Sequence, residues 1–185
     1  ASSRFGIYYY MSFQNSRIFR ISLNDNAEIT SFARVDPAGG GSNPDQPYLF
    51  VNPYTLDPNN GNRMYLAGGD RLWRNRNLSQ IPSGSNSPSS ANWSRLDQTR
   101  IGAGRISAVQ ASTAPEDIVY FGTSNGKLYR IDAASGDAYV VNDVTGADFT
   151  ENGYIRSVAI DPTDADRVIV SFSNYGIPSL YLTED

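Results

Sequence analysis

The chain of 185 residues carries 15 Lys and Arg against 19 Asp and Glu, a formal charge of −4, and 39% of it is hydrophobic. That composition belongs to a globular protein with a sizeable core, not to a disordered segment. The absence of Cys and His excludes the common zinc sites and all Ser-His or Cys-His nucleophiles within these residues.

In chain order, short apolar runs alternate with turns rich in Gly, Pro, Asn and Asp, and no helical periodicity intervenes. "IYYYMSFQNSRIFRI" (7–21) begins with a predicted strand, Ile7 to Met11, and a second follows around Phe19; Ile29 to Val35 predicts a third. "YLFVNPYTLDPNNGNRMYLAGGDRLWR" (48–74) predicts strands at Tyr48 to Val51, Met64 to Leu66 and Leu72 to Arg74, with a turn at Asp57-Pro58. "SQIPSGSNSPSSANW" (79–93) is low in complexity and reads as an insertion loop whose residues 82–91 bury too little apolar area to be strongly ordered. A strand over Asn92 to Leu96 follows it. "ISAVQASTAPEDIVYFGTSNGKLYRI" (106–131) repeats the same order of runs and turns, with a further strand at Ala138 to Val141. The last copy runs from Ile155 to Ile160 through Asp161-Pro162, Val168 to Val170 and Leu180 to Leu182. No run has the length of a membrane span, and the dispersed Lys and Arg residues form no basic patch for a nucleic-acid partner.

The aromatic anchors of these units are Phe19, Trp73, Tyr129 and Tyr181, spaced slightly more than fifty residues apart. A repeat of that length, built of short strands, predicts an all-β propeller of four-stranded antiparallel blades. A β-sandwich also uses many short strands but has no need of turns at a fixed period. The units divide the chain into blades over 1–47, 48–104, 105–153 and 154–185, entered at a second strand and left after a third. This is an arc of about three and a half blades, fewer than a closed ring needs. Further blades of the same protein are therefore expected to cover the apolar faces at its ends, which by the strand pattern include Tyr8, Tyr10, Phe19, Leu180 and Tyr181.

"ISAVQASTAPEDIVYFGTSNGKLYRI" and "IRSVAIDPTDADRVIVSFSNYG" resemble blades of secreted bacterial propellers with sialidase-type (BNR or Asp-box) repeats, a group that includes sortilin-like receptors and xyloglucanases. The resemblance implies a secreted or cell-surface location. The Asp-box of that family is eroded: "SLNDNAEITSF" (22–32) keeps the serine and an aromatic, but Asn24 and Asn26 replace the aspartate and glycine. Phe19-Arg20-Ile21 resembles the family's element for one arginine of a carboxylate clamp, although Arg74 and Arg130 occupy the same blade position and Ser22 replaces the proline.

Two turns, "DPNNGNR" (57–63) and "DPTDADR" (161–167), gather oxygen atoms that suit either calcium or an Asx-Pro turn satisfying its own backbone. Asn77-Leu78-Ser79 and Asn92-Trp93-Ser94 have the form of N-glycosylation acceptors. In a propeller, the turns between second and third strands share one rim with the residues entering each first strand. This places Asp70, Arg71, Asn125, Asn174 and Tyr175 beside Arg105, Tyr154 and Arg156, a mixture suited to sugars or peptide segments. The expected function is a non-catalytic extracellular module that binds a polysaccharide or protein, or serves in structural assembly. The alternative is a glycoside hydrolase whose paired carboxylates include Asp70 and are completed by other blades.

Overall fold

The computed structural model describes residues 8–40 and 47–183. Among them, fourteen strands form four antiparallel sheets. The first sheet contains β1 (Tyr9–Phe13), β2 (Arg17–Leu23) and β3 (Ile29–Arg34). The second contains β4 (Tyr54–Leu56), β5 (Met64–Ala67), β6 (Leu72–Asn75) and β7 (Trp93–Leu96). The third contains β8 (Ile106–Ala111), β9 (Val119–Thr123), β10 (Leu128–Asp132) and β11 (Val140–Asp143), and the fourth β12 (Ile155–Asp161), β13 (Asp164–Phe172) and β14 (Leu180–Thr183). Every sheet is a meander in which sequence neighbours pair. The chain is an arc of propeller blades, and the first and fourth sheets each hold three strands.

Because side chains alternate across a strand, each blade presents one face to the blade before and one to the blade after. The anchors share a register: Met11 faces Phe19, Leu66 faces Trp73, Phe121 faces Tyr129 and Val170 faces Tyr181. Three apolar clusters fill the three seams. Tyr10 and Ile18 pack with Met64 and Leu66; Tyr65 and Leu72 with Phe121 and Ile131; Tyr120 and Leu128 with Val158, Val168 and Val170. The third and fourth blades approach closely where Gly122 of β9 meets Ile155 of β12, since a Cβ at Gly122 would stand 2.4 Å from Ile155 Cγ2.

A second register recurs one residue away. Tyr10 pairs with Arg20, Tyr65 with Arg74 and Tyr120 with Arg130, whereas the fourth blade has Ile169 opposite Leu182. Each arginine crosses its seam. Arg20 donates to the carbonyls of Leu78 and Ile81, and Arg74 to those of Ala134 and Gly136 and to Asp137. Arg130 is held by Asp132 and Asp166. Arg20 and Arg74 are buried, so these groups are structural staples between blades.

Three details differ from the sequence expectation. Tyr48 to Val51 is not a strand; the first strand of the second blade is Tyr54–Leu56. Asn52 pins the preceding segment across the blade end, donating to Ser16 Oγ and the Ala67 carbonyl and accepting from the Leu49 N–H, while Pro53 has no N–H to donate. The insertion loop is docked, because backbone groups do what its side chains cannot: Gly84 N–H donates to Phe32 O, Arg34 N–H to Ser85 O and Ser89 N–H to Asp36 O. Finally, Tyr10 and Tyr181 turn into seams. The exposed apolar side chains of the end blades include Tyr9, Met11, Phe13, Ile29 and Phe32 at one end and Ile169, Leu180 and Leu182 at the other.

Candidate ligand-binding rim

The rim is laced by backbone bonds. Ile106 N–H donates to Gly69 O, tying the second blade's β5–β6 turn to the third blade's first strand. Arg105 N–H donates to Ser124 Oγ and receives the Ser124 N–H at its carbonyl. Tyr154 N–H donates to Asn174 Oδ1 at 2.5 Å, and Ser173 N–H returns to Tyr154 O. Ser107 Oγ then reaches the Ile155 carbonyl at 2.6 Å, joining the third and fourth blades at the same end.

These bonds separate the eight residues singled out on the sequence into two groups. Asp70 is buried and held by both arms of the Arg71 fork, at 3.0 and 2.7 Å. Arg71 also donates to Asp97 at 2.6 Å, so the two carboxylates share one guanidinium. Hydrogen bonds from Arg71, and then from Arg95, hold the Asp97 carboxyl below the usual carboxylate range.

The second group is Arg105, Asn125, Tyr154, Arg156, Asn174 and Tyr175. Arg156, Asn174 and Tyr175 are exposed, and Tyr175 stands fully clear of the protein at the tip of its turn. Among the described residues, neither Arg105 nor Arg156 has a carboxylate partner. Asn125 Oδ1 is enclosed without a hydrogen-bond donor among the described residues. It lies where a Cβ on Gly104, at φ +75°, would come within 3.0 Å. Glycine serves at that position because it tolerates both the left-handed backbone and the close approach.

Sequence reasoning missed Phe50 and Val51 on this rim. They are 67% and 62% exposed, and Phe50 O accepts from Asn15 N–H in the first blade's β1–β2 turn. The signal was present in Asn52-Pro53, a break that stops the apolar run from continuing as a strand.

The remaining motifs are engaged in structure. Arg20, the clamp candidate, is buried in its seam. Asp57 accepts from the N–H groups of Asn59 and Asn60 and pairs with Arg63; Asp161 accepts from Thr163 and pairs with Arg167. In the stretch 22–32, Asn24 builds the turn, its Oδ1 accepting from the N–H groups of Asn26 and Glu28. In the two glycosylation triplets, Ser79 Oγ donates to Asn77 Oδ1, and Asn92 Nδ2 donates to Asn77 O and Gln80 Oε1. No described helix is long and apolar enough to cross a membrane.

No family model matches the chain, and no characterised protein compared with it matches in sequence. In three dimensions it is similar to the β-propeller domain of Cps50 (Swd1) from Myceliophteria thermophila, with a TM-score of 0.58 and 16% identity, covering 98% of this chain and 54% of that one. It is also similar to an ancestral GH74 enzyme, with a TM-score of 0.60 and 13% identity, covering 98% of this chain and 21% of that one. The chain therefore spans about half of one neighbour and a fifth of the other. At these identities the likeness shows the fold alone, and that fold is the β-propeller.

Proposed function

We propose that the chain is a non-catalytic propeller module of a secreted or cell-surface protein, binding a polysaccharide or a protein through its rim. The observation that supports this most is a contrast among its arginines. Arg20, Arg74 and Arg130, at one register of the third strands, are consumed by seam contacts, whereas Arg105 and Arg156 stand on the rim beside Tyr154, Asn174 and Tyr175 with no carboxylate partner among the described residues. Planar rings beside guanidinium and amide groups offer stacking with a few directed polar contacts.

A glycoside hydrolase needs one carboxyl poised to donate a proton while another remains ionised. On this rim, Arg71 binds both Asp70 and Asp97, and Asp97 is pushed toward the ionised form. That supports binding over hydrolysis. Further blades of the same protein would complete the ring and cover the end faces.

The test is a screen of glycans and extracellular proteins for binding and for hydrolysis. Arg156→Ala and Tyr175→Ala should each weaken ligand binding about tenfold or more, a loss of roughly 1.4 kcal/mol, with the melting temperature unchanged. Glycan hydrolysis by the chain, or binding indifferent to both substitutions, overturns the proposal.

A further inference from the structure

The outer edge of the first blade is covered by a segment of the second. Gly84 N–H donates to Phe32 O at 2.7 Å and Ser85 O accepts from Arg34 N–H at 2.8 Å. Ser89 N–H donates to Asp36 O at 2.8 Å, and Ser89 O accepts from Ala38 N–H at 2.9 Å. Residues 84–89 therefore run alongside residues 32–38 in the same direction, with Pro37 and Ser89 forming a parallel bridge. Because the other edge of β3 pairs with β2, the insertion is an added, parallel member on the outside of an antiparallel blade.

The two ends of this segment are anchored and its middle is not. Before it, Ile81 is buried and its carbonyl accepts from Arg20 at 2.7 Å. After it, Trp93 Nε1–H donates to the Val35 carbonyl at 2.8 Å. Between these points Pro82, Gly84, Asn86, Ser87 and Pro88 are all exposed, so the segment holds the edge through backbone bonds without burying an apolar side chain. A segment held in that way opens locally at far lower cost than the seams beneath it.

What it covers is a pairing surface. Phe32 O and Arg34 N–H, which the segment engages, are the groups that an antiparallel partner strand would use. β3 can supply that partner itself. A two-fold axis at Ala33 sets Phe32 opposite Arg34 of a second copy and Arg34 opposite that copy's Phe32, and each pair can exchange backbone bonds. Phe32 is 37% exposed, and in this register its ring lies beside a guanidinium whose charge Asp36 already balances. Ala33 at the axis is small where the two strands come closest.

We propose that residues 82–90 are an edge guard: they occupy the backbone groups through which β3 would otherwise pair with β3 of a second copy, and so keep two chains from joining edge to edge. An uncovered edge strand is a template for another chain, and here the cover comes from the neighbouring blade. β3 is the outermost strand of its sheet, so the guard works in the same way whatever number of blades completes the ring. It does not rest on the function proposed for the rim.

Asn92 Nδ2 reaches Gln80 Oε1 at 2.9 Å, so the insertion begins and ends in one place and residues 83–89 can be replaced by a Gly-Ser-Gly linker. Sedimentation velocity across a concentration series compares this shortened chain with the parent, and any association through other faces is common to both. The shortened chain should self-associate about tenfold more tightly or better, with the Phe32 and Arg34 amides slow to exchange in the associated form. Adding Phe32→Lys, which sets a cation opposite Arg34 of the second copy, should return association to the parent's level. Ser89→Pro in the full-length chain removes the Ser89 N–H and its bond to Asp36 O, and should shift association in the same direction as the shortening; it carries the test if the shortened chain melts early. Association no tighter than the parent's, association indifferent to Phe32→Lys, or an Arg34 amide that exchanges freely in the associated form overturns the proposal.

Discussion

Tyr120 and Arg130 face each other across β9 and β10, and both reach into the next blade. The Tyr120 hydroxyl donates to the Ala165 carbonyl at 3.0 Å, while Arg130 pairs with Asp166 and also donates to the Tyr120 hydroxyl at 3.3 Å. The same cross-strand pair occurs as Tyr10–Arg20 and Tyr65–Arg74. A propeller blade needs a repeated contact to its neighbour, and here a ring supplies apolar area while a guanidinium supplies hydrogen bonds.

Removing a staple should cost stability in proportion to its burial. Arg74 is 1% exposed and binds two carbonyls and Asp137. Arg74→Ala strands those acceptors and should cost about 3 kcal/mol. Arg130, at 24% exposure with its partners nearer to water, should cost roughly 1 kcal/mol as alanine. Urea denaturation of both variants measures the difference, and equal losses would remove burial as the cause.

The tyrosines make the fold sensitive to alkali. Burial pushes the Tyr10 hydroxyl up to about 12, and also raises Tyr54, Tyr65 and Tyr120. The unfolded chain begins to lose these protons near pH 10, while the folded chain still holds them. Their stabilisation is therefore complete below about pH 10 and declines as pH rises toward 12. Thermal melts across this range, with phenolate absorbance recorded in parallel, should show unfolding and ionisation advancing together. Tyr65→Phe should flatten the slope.

Gly122→Ala tests how closely β9 of the third blade approaches β12 of the fourth. Its methyl group would stand 2.4 Å from Ile155 Cγ2, an overpacking expected to cost about 1 to 3 kcal/mol. Pairing it with Ile155→Val makes room. The double variant should recover part of the loss in a double-mutant cycle.

The fourth blade can be given the repeat's own polar pair. Ile169 and Leu182 are 45% and 59% exposed. Ile169→Tyr with Leu182→Arg should leave unfolding within about 0.5 kcal/mol of the parent, as expected of surface changes. Self-association should fall, because an exposed apolar row is replaced. Light scattering against concentration checks it.

Much of this architecture was legible because the repeat is written in residues that must be where they are. The anchors Phe19, Trp73, Tyr129 and Tyr181 fill one strand position in all four blades, and the turn residues between them fix the strand order. Less legible was anything decided by a single side chain's hydrogen bonds. Tyr48 to Val51 has strand composition, but Asn52 holds it across the blade end. The insertion reads as loose because its side chains are small and polar, yet its docking runs through backbone groups that composition does not report. On the rim, the strand order in the sequence groups the turns at one end but does not reveal that Arg71 grips Asp70 while Arg156 remains exposed.

The seam arginines all point forward along the chain. Arg20 finds its acceptors at Leu78 and Ile81, Arg74 at Ala134 and Gly136, and Arg130 at Asp166. During synthesis from the N-terminus, Arg20 and Arg74 emerge well before the carbonyls that will satisfy them, and β3 likewise waits for Gly84 and Ser85 to complete its outer edge. The first two blades are therefore not complete until their successors are made. Each holds an unsatisfied guanidinium until then, which couples consecutive blades and makes a ribosomal pause between Arg74 and Ala134 a point of exposure to chaperones and proteases.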